Sequence, residues 1–219
     1  TGRVAHTLNI RLFPEQLTYI VNHAEDEVIF IDRSLFALIA PLLPTFTTVK
    51  HLVIMDDGKG DVPDSVKGFE MHDYEALLKG TPGVEFRITD EHLAASMCYT
   101  SGTTGNPKGV VYSHRSTYLH TFGAMTADSL GARESDIILP VVPMFHANAW
   151  GLAHAAVASG ASLVMPGPDL SGKAIANLIV EEKVTVAAGV PTIWMAVLPE
   201  LKGRDTSALR AIPCGGSAV

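Results

Sequence analysis

Residues 93–114, LAASMCYTSGTTGNPKGVVYSH, place a loop of glycine, serine and threonine between two apolar runs. The first run, LAASMCYT, has the length and apolar content of a buried strand, and GVVYS continues the chain as a second strand. The loop therefore leaves the C-terminal end of a strand, which is where α/β sheets usually bind their ligands.

Further short apolar runs, rich in β-branched residues, alternate with helical patterns along the chain. The runs that predict buried strands are EVIFID, HLVIM, DIILPVV, ASLVM, VTVAAGV and LRAIP. Pro14 suits the first position of one helix, and Ser113 and Ser171 suit the N-caps of two others. The alternation predicts an α/β fold with a mostly parallel sheet and flanking helices. The polar residues 56–68 are interpreted as a surface excursion rather than a domain boundary.

The composition is that of a globular protein. Of its 219 residues, 47% are hydrophobic, which is enough to bury a core. The formal net charge of -7 gives no basic footprint, so nucleic acid is not expected as a partner. No apolar stretch reaches the roughly 20 residues that span a bilayer. We expect a cytoplasmic protein, with peripheral membrane association left open.

Metal-ligand patterns are missing from the sequence. Cys98 and Cys214 lie outside any C-x-x-C spacing, so neither a disulfide framework nor a zinc site is indicated. His114, His120 and His154 form no H-E-x-x-H or similar pattern. The sequence therefore predicts no metal site built from protein ligands alone.

The loop combines backbone freedom, hydroxyl groups and one positive charge. Its glycines permit torsions that turn consecutive N–H groups into one concavity able to hold an anion. Four hydroxyl side chains and one lysine add further donors. These residues are Gly102, Gly105 and Gly109, then Thr100, Ser101, Thr103 and Thr104, and finally Lys108. The combination suits a polyphosphate, and a solvated glycine-rich turn is the alternative.

The Walker A order, G-x-x-x-x-G-K-[ST], is not met, because Lys108 follows Pro107 and precedes Gly109. No Walker B strand carrying an Asp is found either. A kinase or other P-loop NTPase is therefore disfavoured. Phosphate would be held by the loop's N–H groups and hydroxyls, without a helix N-terminus directly behind them.

The stretch YTSGTTGNPKGVVYSH resembles the phosphate-loop signature of the adenylate-forming superfamily, which includes acyl-CoA synthetases, luciferases and peptide-synthetase adenylation domains. Three further segments agree in order: HTLNIRLFPEQLTYIVNHAED, PMFHANAWG and GGSAV. The resemblance covers nearly the whole chain and points to the medium- or long-chain fatty-acyl branch. It implies that residues 1–219 are part of an N-terminal AMP-binding domain.

The resemblance implies a reaction of two steps. A fatty acid would attack the α-phosphate of ATP to give acyl-AMP and pyrophosphate, and coenzyme A would then displace AMP. The loop would hold the β- and γ-phosphates through the set Thr100, Ser101, Gly102, Thr103, Thr104, Gly105 and Lys108. Thr100 would also bind Mg²⁺, and Lys108 would be catalytic. Gly215, Gly216 and Ser217 would let the backbone approach the adenine or the acyl group, with an ordinary tight turn as the alternative. A homodimer is left open.

The same resemblance places an acyl pocket in FHANAWG. His146, Asn148 and Trp150 would contact the acyl group, with His146 also catalytic and Trp150 a gate between nucleotide and fatty-acid tunnel. Trp194, in GVPTIW, would belong to the tunnel wall. Core packing is the alternative for both tryptophans and for the histidine.

The family's magnesium-binding Glu, ribose-binding Asp and catalytic lysine of the mobile C-terminal domain find no match in this sequence. We therefore expect the chain alone to be inactive, as a fragment of a fatty-acyl-CoA ligase. The alternative is a non-catalytic module that binds a nucleotide or an acyl group.

Overall fold

The computed structural model describes residues 2–79, 82–83, 85, 90–100 and 105–216. The chain forms two compact units. The first unit comprises Leu8–Ile88 and Tyr99–Gly109, and the second comprises Gly2–Thr7, Thr89–Cys98 and Val110–Val219. The polar residues 56–68 lie within the first unit.

The first unit is built on a parallel sheet of order β2-β3-β4. Its strands and α-helices are α1 (Pro14–His23), β2 (Val28–Asp32), α2 (Phe36–Ile39), β3 (His51–Met55), β4 (Glu70–Asp73) and α3 (Tyr74–Leu78), with 3₁₀ turns at Arg33–Leu35 and Ala40–Thr45. Helix α1 begins at Pro14 as predicted, and it buries Leu17, Ile20 and Val21, which the helical repeat places on one face.

The second unit contains two three-stranded sheets, of order β1-β5-β6 and β8-β7-β9. The strands are β1 (Ala5–His6), β5 (Ala94–Tyr99), β6 (Gly109–Ser113), β7 (Ile137–Pro140), β8 (Ser162–Leu163) and β9 (Val186–Ala188), of which Tyr99 and Gly109 belong to the first unit. The helices are α4 (His114–Met125), α5 (Leu152–Ser159), α6 (Gly172–Glu181) and α7 (Pro191–Leu201).

Local sequence signals set the ends of two of these helices. Ser113 Oγ accepts from the backbone N–H of Ser116 at 3.1 Å, and Ser171 Oγ accepts from that of Ala174 at 3.2 Å. Both serines therefore cap the helices that they were predicted to cap. No helix in the described part of the chain is long and apolar enough to cross a membrane.

The α/β class is confirmed, and within the residues that the structure describes the strands form three small sheets rather than one. Strands β5 and β6 run antiparallel, because Thr100 N–H donates to the Lys108 carbonyl and His114 N–H to the Leu93 carbonyl, both at 3.0 Å. The run LRAIP was predicted to be a strand and makes only isolated bridges, at Ala211 and just beyond it. Pro213 has no N–H to donate, so a ladder cannot continue through this segment.

A buried ion pair fixes this irregular segment to the second unit. The side chain of Asp136 is 1% exposed and accepts two charge-assisted hydrogen bonds from Arg210, one of them from Nε at 2.8 Å. Thr185 Oγ1 donates to the same carboxylate at 2.8 Å. The Arg210 hydrogen bonds hold the pKa of Asp136 below its usual value, and Asp136 raises the pKa of Arg210. Arg210 also donates to the Gly131 carbonyl at 2.8 Å.

Replacing Arg210 by Ala should lower the free energy of unfolding by about 3–5 kcal/mol, because it removes two charge-assisted hydrogen bonds from a buried carboxylate and leaves it the exposed Arg133 guanidinium at 3.8 Å. Urea unfolding measures the loss. Arg115→Ala is the matched control, since Arg115 forms an exposed ion pair with Glu91 and such pairs contribute about 0–1 kcal/mol. Equal losses in the two variants would contradict the proposed role of burial.

The same pair predicts a pH dependence. The pKa of Asp136 is lowered in the folded protein. Its contribution to the free energy of unfolding is therefore fully present above the ordinary carboxyl pKa of about 4, and it is lost as the pH falls through the folded-state pKa. The difference in the free energy of unfolding between wild type and Arg210→Ala should therefore become smaller below about pH 4. A difference that is constant down to pH 2 would contradict this account.

Candidate functional site

The segment PMFHANAWG, residues 143–151, contains a left-handed turn. The φ angles of Ala147, Asn148, Ala149 and Trp150 are 46°, 47°, 52° and 55°, and Gly151 follows at 71°. For residues with a Cβ this conformation costs roughly 1–2 kcal/mol each. Such backbone persists only where the surrounding structure determines it, and it is concentrated at functional sites.

Buried polar contacts hold the turn. Asn148 is 6% exposed, and its Oδ1 accepts from Ser96 Oγ on β5 at 2.9 Å. Its Nδ2 donates to the Met144 carbonyl at 3.4 Å, and the same carbonyl accepts from Thr7 Oγ1 at 2.7 Å. The amide of Asn148 thus links the turn both to its own chain and to the neighbouring strand.

His120, on α4, closes the other side of the turn. Its Nε2 lies 3.0 Å from the Trp150 carbonyl, so this nitrogen carries the proton and donates. A Cβ at Gly151 would lie only 2.7 Å from the same nitrogen. Glycine is therefore required at position 151 for two reasons, the positive φ and the close approach of the His120 imidazole.

The turn forms one wall of a cavity of about 440 Å³ within the second unit. The other walls come from β6, α4 and α5, and they contribute the polar side chains of Tyr112, Ser116, Thr117, His120 and His154. The volume lies in the range of small-molecule sites. None of the lining residues that the structure describes is Asp, Glu, Lys or Arg.

Two titratable groups of the cavity, His154 and Tyr112, are shifted toward their neutral forms. The pKa of His154 is lowered mainly by burial and to a smaller extent by the nearby His120. The pKa of the Tyr112 phenol is raised mainly by burial and to a smaller extent by the electrostatic effect of Cys98. Near neutral pH these two shifts favour an uncharged His154 imidazole and an uncharged Tyr112 phenol. An uncharged and largely apolar ligand fits this environment better than a phosphate does.

The described ends of the phosphate loop are brought together in the first unit. Thr100 N–H donates to the Lys108 carbonyl at 3.0 Å, and Lys108 N–H approaches Thr100 Oγ1 at 3.4 Å. Gly105 has a φ of 139°, which favours glycine. The Lys108 side chain is exposed. The predicted phosphate ligands that lie outside the described residues are Ser101, Gly102, Thr103 and Thr104.

The residues that flank this loop are packed more tightly. Tyr99 Oη lies 2.6 Å from His23 Nδ1 on α1, and burial raises the pKa of that phenol. A Cβ at Gly109 would lie 3.1 Å from the Tyr99 ring. The loop therefore starts and ends on a fixed backbone position, while Lys108 faces solvent.

The structure separates the predicted acyl residues into two groups. Asn148 and Trp150 line the cavity, and a Cβ at Gly215 would lie 3.7 Å from the Trp150 ring. His146 is exposed and does not line the cavity. Trp194 is 7% exposed in the core and donates Nε1–H to the Gly189 carbonyl at 3.2 Å. Gly216 has a φ of 88°, and Ser217 lies outside the described residues.

Sequence reasoning did not identify the polar lining of the cavity. His120 and His154 were considered only as metal ligands, and 34 residues of chain separate them. The one local signal is the spacing of Ser116 and His120, which puts them on the same face of α4. The encounter of α4 with α5 requires the tertiary fold.

Comparison with known proteins identifies the family. The sequence model of a protein family described as AMP-binding enzyme matches residues 1–219. The chain is 48% identical over 219 residues to a 3-methylmercaptopropionyl-CoA ligase of Ruegeria pomeroyi, an alignment that covers 99% of the chain and 40% of the relative. It is 44% identical over 220 residues to a medium-chain-fatty-acid–CoA ligase of Ectopseudomonas oleovorans, again covering 99% of the chain and 40% of the relative.

A solved structure agrees with the fold. A natural red-emitting luciferase of Phrixothrix hirtus gives a TM-score of 0.81 at 22% identity, over 99% of this chain and 42% of the luciferase. The chain spans about two fifths of the length of the curated relatives that it matches. The family model extends over the whole chain and confirms the resemblance read from the phosphate-loop signature, so the chain belongs to the AMP-binding enzymes of the adenylate-forming superfamily.

Proposed function

We propose that the whole protein is an ATP-dependent, AMP-forming acyl-CoA ligase that activates an aliphatic carboxylic acid. The observation that carries the acid class is the cavity of about 440 Å³, whose described lining has no charged side chain. An aliphatic tail loses no hydrogen bonds on entering such a cavity, whereas a charged tail would be desolvated without a partner.

The two relatives support an aliphatic acid and differ in its length. One is named for 3-methylmercaptopropionate, a short thioether acid, and the other for medium-chain fatty acids. A thioether and a methylene chain are both apolar and flexible, so one neutral cavity accommodates either. The proposal therefore includes both acids, with fatty acids of medium or long chain as the first choice.

In this proposal the phosphate loop acts on the leaving group. Negative charge increases on pyrophosphate as its bond to the α-phosphate breaks, and Lys108 with the loop's N–H groups stabilises that charge. Thr100 contributes to Mg²⁺ binding, and its hydroxyl contacts with the described residue Lys108 are long, at 3.4 and 3.5 Å to backbone atoms. The family's adenine segment begins at Gly215 and Gly216. His146, which is exposed and does not line the cavity, keeps the catalytic role that the family resemblance implies.

The direct test incubates the whole protein with ATP, Mg²⁺, coenzyme A and acids from 3-methylmercaptopropionate to long-chain fatty acids. We expect acid-dependent AMP, pyrophosphate and acyl-CoA, measured by chromatography, and none from the 219-residue chain alone. Formation of ADP would instead favour a kinase. Binding of ATP or acid without turnover by the whole protein would favour the non-catalytic module.

Lys108→Ala in the whole protein should lower kcat for pyrophosphate release by about 100- to 1,000-fold, the usual cost of one preorganised donor to developing charge. The acid KM should change little, because the lost charge faces the departing pyrophosphate. Lys67→Ala, at an exposed lysine of the same unit, is the control. Unchanged pyrophosphate release in Lys108→Ala would remove this lysine from the mechanism.

Trp150→Ala should enlarge the cavity and move the preferred acid toward longer chains. Each methylene accommodated is worth about 1–3 kcal/mol, so kcat/KM ratios between neighbouring chain lengths should shift by roughly tenfold or more. Trp194→Ala is the matched comparison, since we propose that Trp194 acts through core packing. It should lower the free energy of unfolding by about 3–5 kcal/mol without moving the preference. A shift in the preferred chain length with Trp194→Ala, and none with Trp150→Ala, would instead place the acyl wall at Trp194.

A further inference from the structure

A cluster of potential metal ligands lies on the sheet of the first unit. It comprises His51 on β3 and Glu70 and His72 on β4, whose ligand atoms all lie within 4.8 Å of one another. In the parallel register His51 is opposite Glu70, and Val53 is opposite His72. Because side chains alternate along a strand, all three side chains project from the same face.

Two of the three distances between donor atoms match those around a tetrahedral metal ion. His51 Nδ1 lies 3.1 Å from His72 Nε2 and 3.4 Å from Glu70 Oε2. Zinc binds imidazole and carboxylate at about 2.0–2.2 Å, which places two tetrahedral ligands roughly 3.3 Å apart. Two donor pairs are therefore already at the spacing that one ion requires, and the third pair, Glu70 and His72, lies within 4.8 Å.

Few protons are available for hydrogen bonds among these three side chains. A carboxylate is only an acceptor, and each neutral imidazole has one N–H and one lone pair. The hydrogen bond between His51 Nδ1 and His72 Nε2 uses one of these protons, and its direction depends on the tautomers of the two rings. A divalent cation accepts all three lone pairs at once.

The surroundings leave room for an ion to enter. The Glu70 side chain is 74% exposed and that of His51 is 34% exposed. Lys50, the adjacent cation, extends to Glu27, with 3.4 Å between Nζ and Oε1. Solvent can therefore supply a water as the fourth ligand, and the nearby positive charge is directed to a different carboxylate.

We propose that His51, Glu70 and His72 form a binding site for Zn²⁺, with water as the fourth ligand. Two imidazoles and one carboxylate select zinc-like ions over Mg²⁺, which prefers oxygen ligands in an octahedron. Strand β4 is at the edge of its sheet and has only four residues. The ion joins this edge strand to the central strand β3 through side chains.

The test uses the 219-residue chain without a histidine tag, stripped of metal by a chelator and studied without ATP. Calorimetric titration with Zn²⁺ should show one tight site, and Co²⁺ should give the visible absorption of a tetrahedral complex. The melting temperature should rise with Zn²⁺ and not with an equal concentration of Mg²⁺, because the ion binds only the folded arrangement.

Glu70→Gln and the double variant His51→Ala/His72→Ala should weaken Zn²⁺ binding by at least about tenfold, since even the loss of an outer-shell partner costs roughly 10- to 100-fold. Glu70→Gln changes an exposed side chain and keeps its shape, so it remains informative if the double variant does not fold. The matched control is His92→Ala, because His92 Nε2 lies 3.9 Å from Glu91 Oε1 in an exposed pair. Equal affinity in wild type and Glu70→Gln, or equal losses in Glu70→Gln and His92→Ala, would overturn the proposal.

Discussion

The shape of the cavity depends on the hydrogen bond between Ser96 and Asn148, two polar residues that are buried at 4% and 6% exposure. This bond connects β5 to a turn whose four non-glycine residues each carry a left-handed cost of roughly 1–2 kcal/mol. A neutral hydrogen bond contributes only about 1 kcal/mol net. It therefore selects the position of the turn but cannot by itself offset the strain.

Packing adds to the stabilisation of the turn. Ala149 and Leu152 are fully buried, in a core cluster that also contains Ile138. Burial of a leucine-sized side chain contributes about 1.5–3 kcal/mol. Removing either the hydrogen bond or the packed residues would leave a strained segment without enough support. The cavity wall is thus determined by tertiary contacts, whereas the residues that form it have no intrinsic preference for this conformation.

This dependence explains which features were predictable from the sequence. Signals that act within a few residues predicted the helix starts correctly. Examples are the start of α1 at Pro14 and the serine caps at Ser113 and Ser171. Features that need two distant segments were not found. The left-handed turn follows from contacts with β5 and His120, which no local pattern in PMFHANAWG encodes.

The cluster of His51, Glu70 and His72 was not anticipated from the sequence for a related reason. The sequence search looked for ligands at helical or C-x-x-C spacing, and it found none. His51 and His72 are 21 residues apart and meet only through the register of β3 with β4. Parallel pairing has no fixed offset in sequence, because the connection between the strands can have any length. A ligand set of this kind is therefore visible only once the register is known.

The failed prediction of a strand at LRAIP shows how an irregular segment can still be placed accurately. Arg210 N–H donates to the Thr185 carbonyl at 2.8 Å, and Gly189 N–H donates to the Pro213 carbonyl at 3.2 Å, so backbone bonds hold the segment beside β9 at intervals. The proline interrupts any continuous ladder. The Arg210 side chain adds charge-assisted bonds to Asp136, which are about twice as strong as neutral ones.

That anchor has a consequence five residues later along the chain. Gly215 lies against the Trp150 ring, where a Cβ would already be in van der Waals contact. A buried ion pair holds its geometry because breaking it leaves an unpaired charge in the core. Asp136 and Arg210 thus position the backbone that meets the wall of the cavity, although neither residue lines it. The start of the adenine segment proposed from the family and the acyl wall proposed from the cavity are therefore connected through one buried carboxylate.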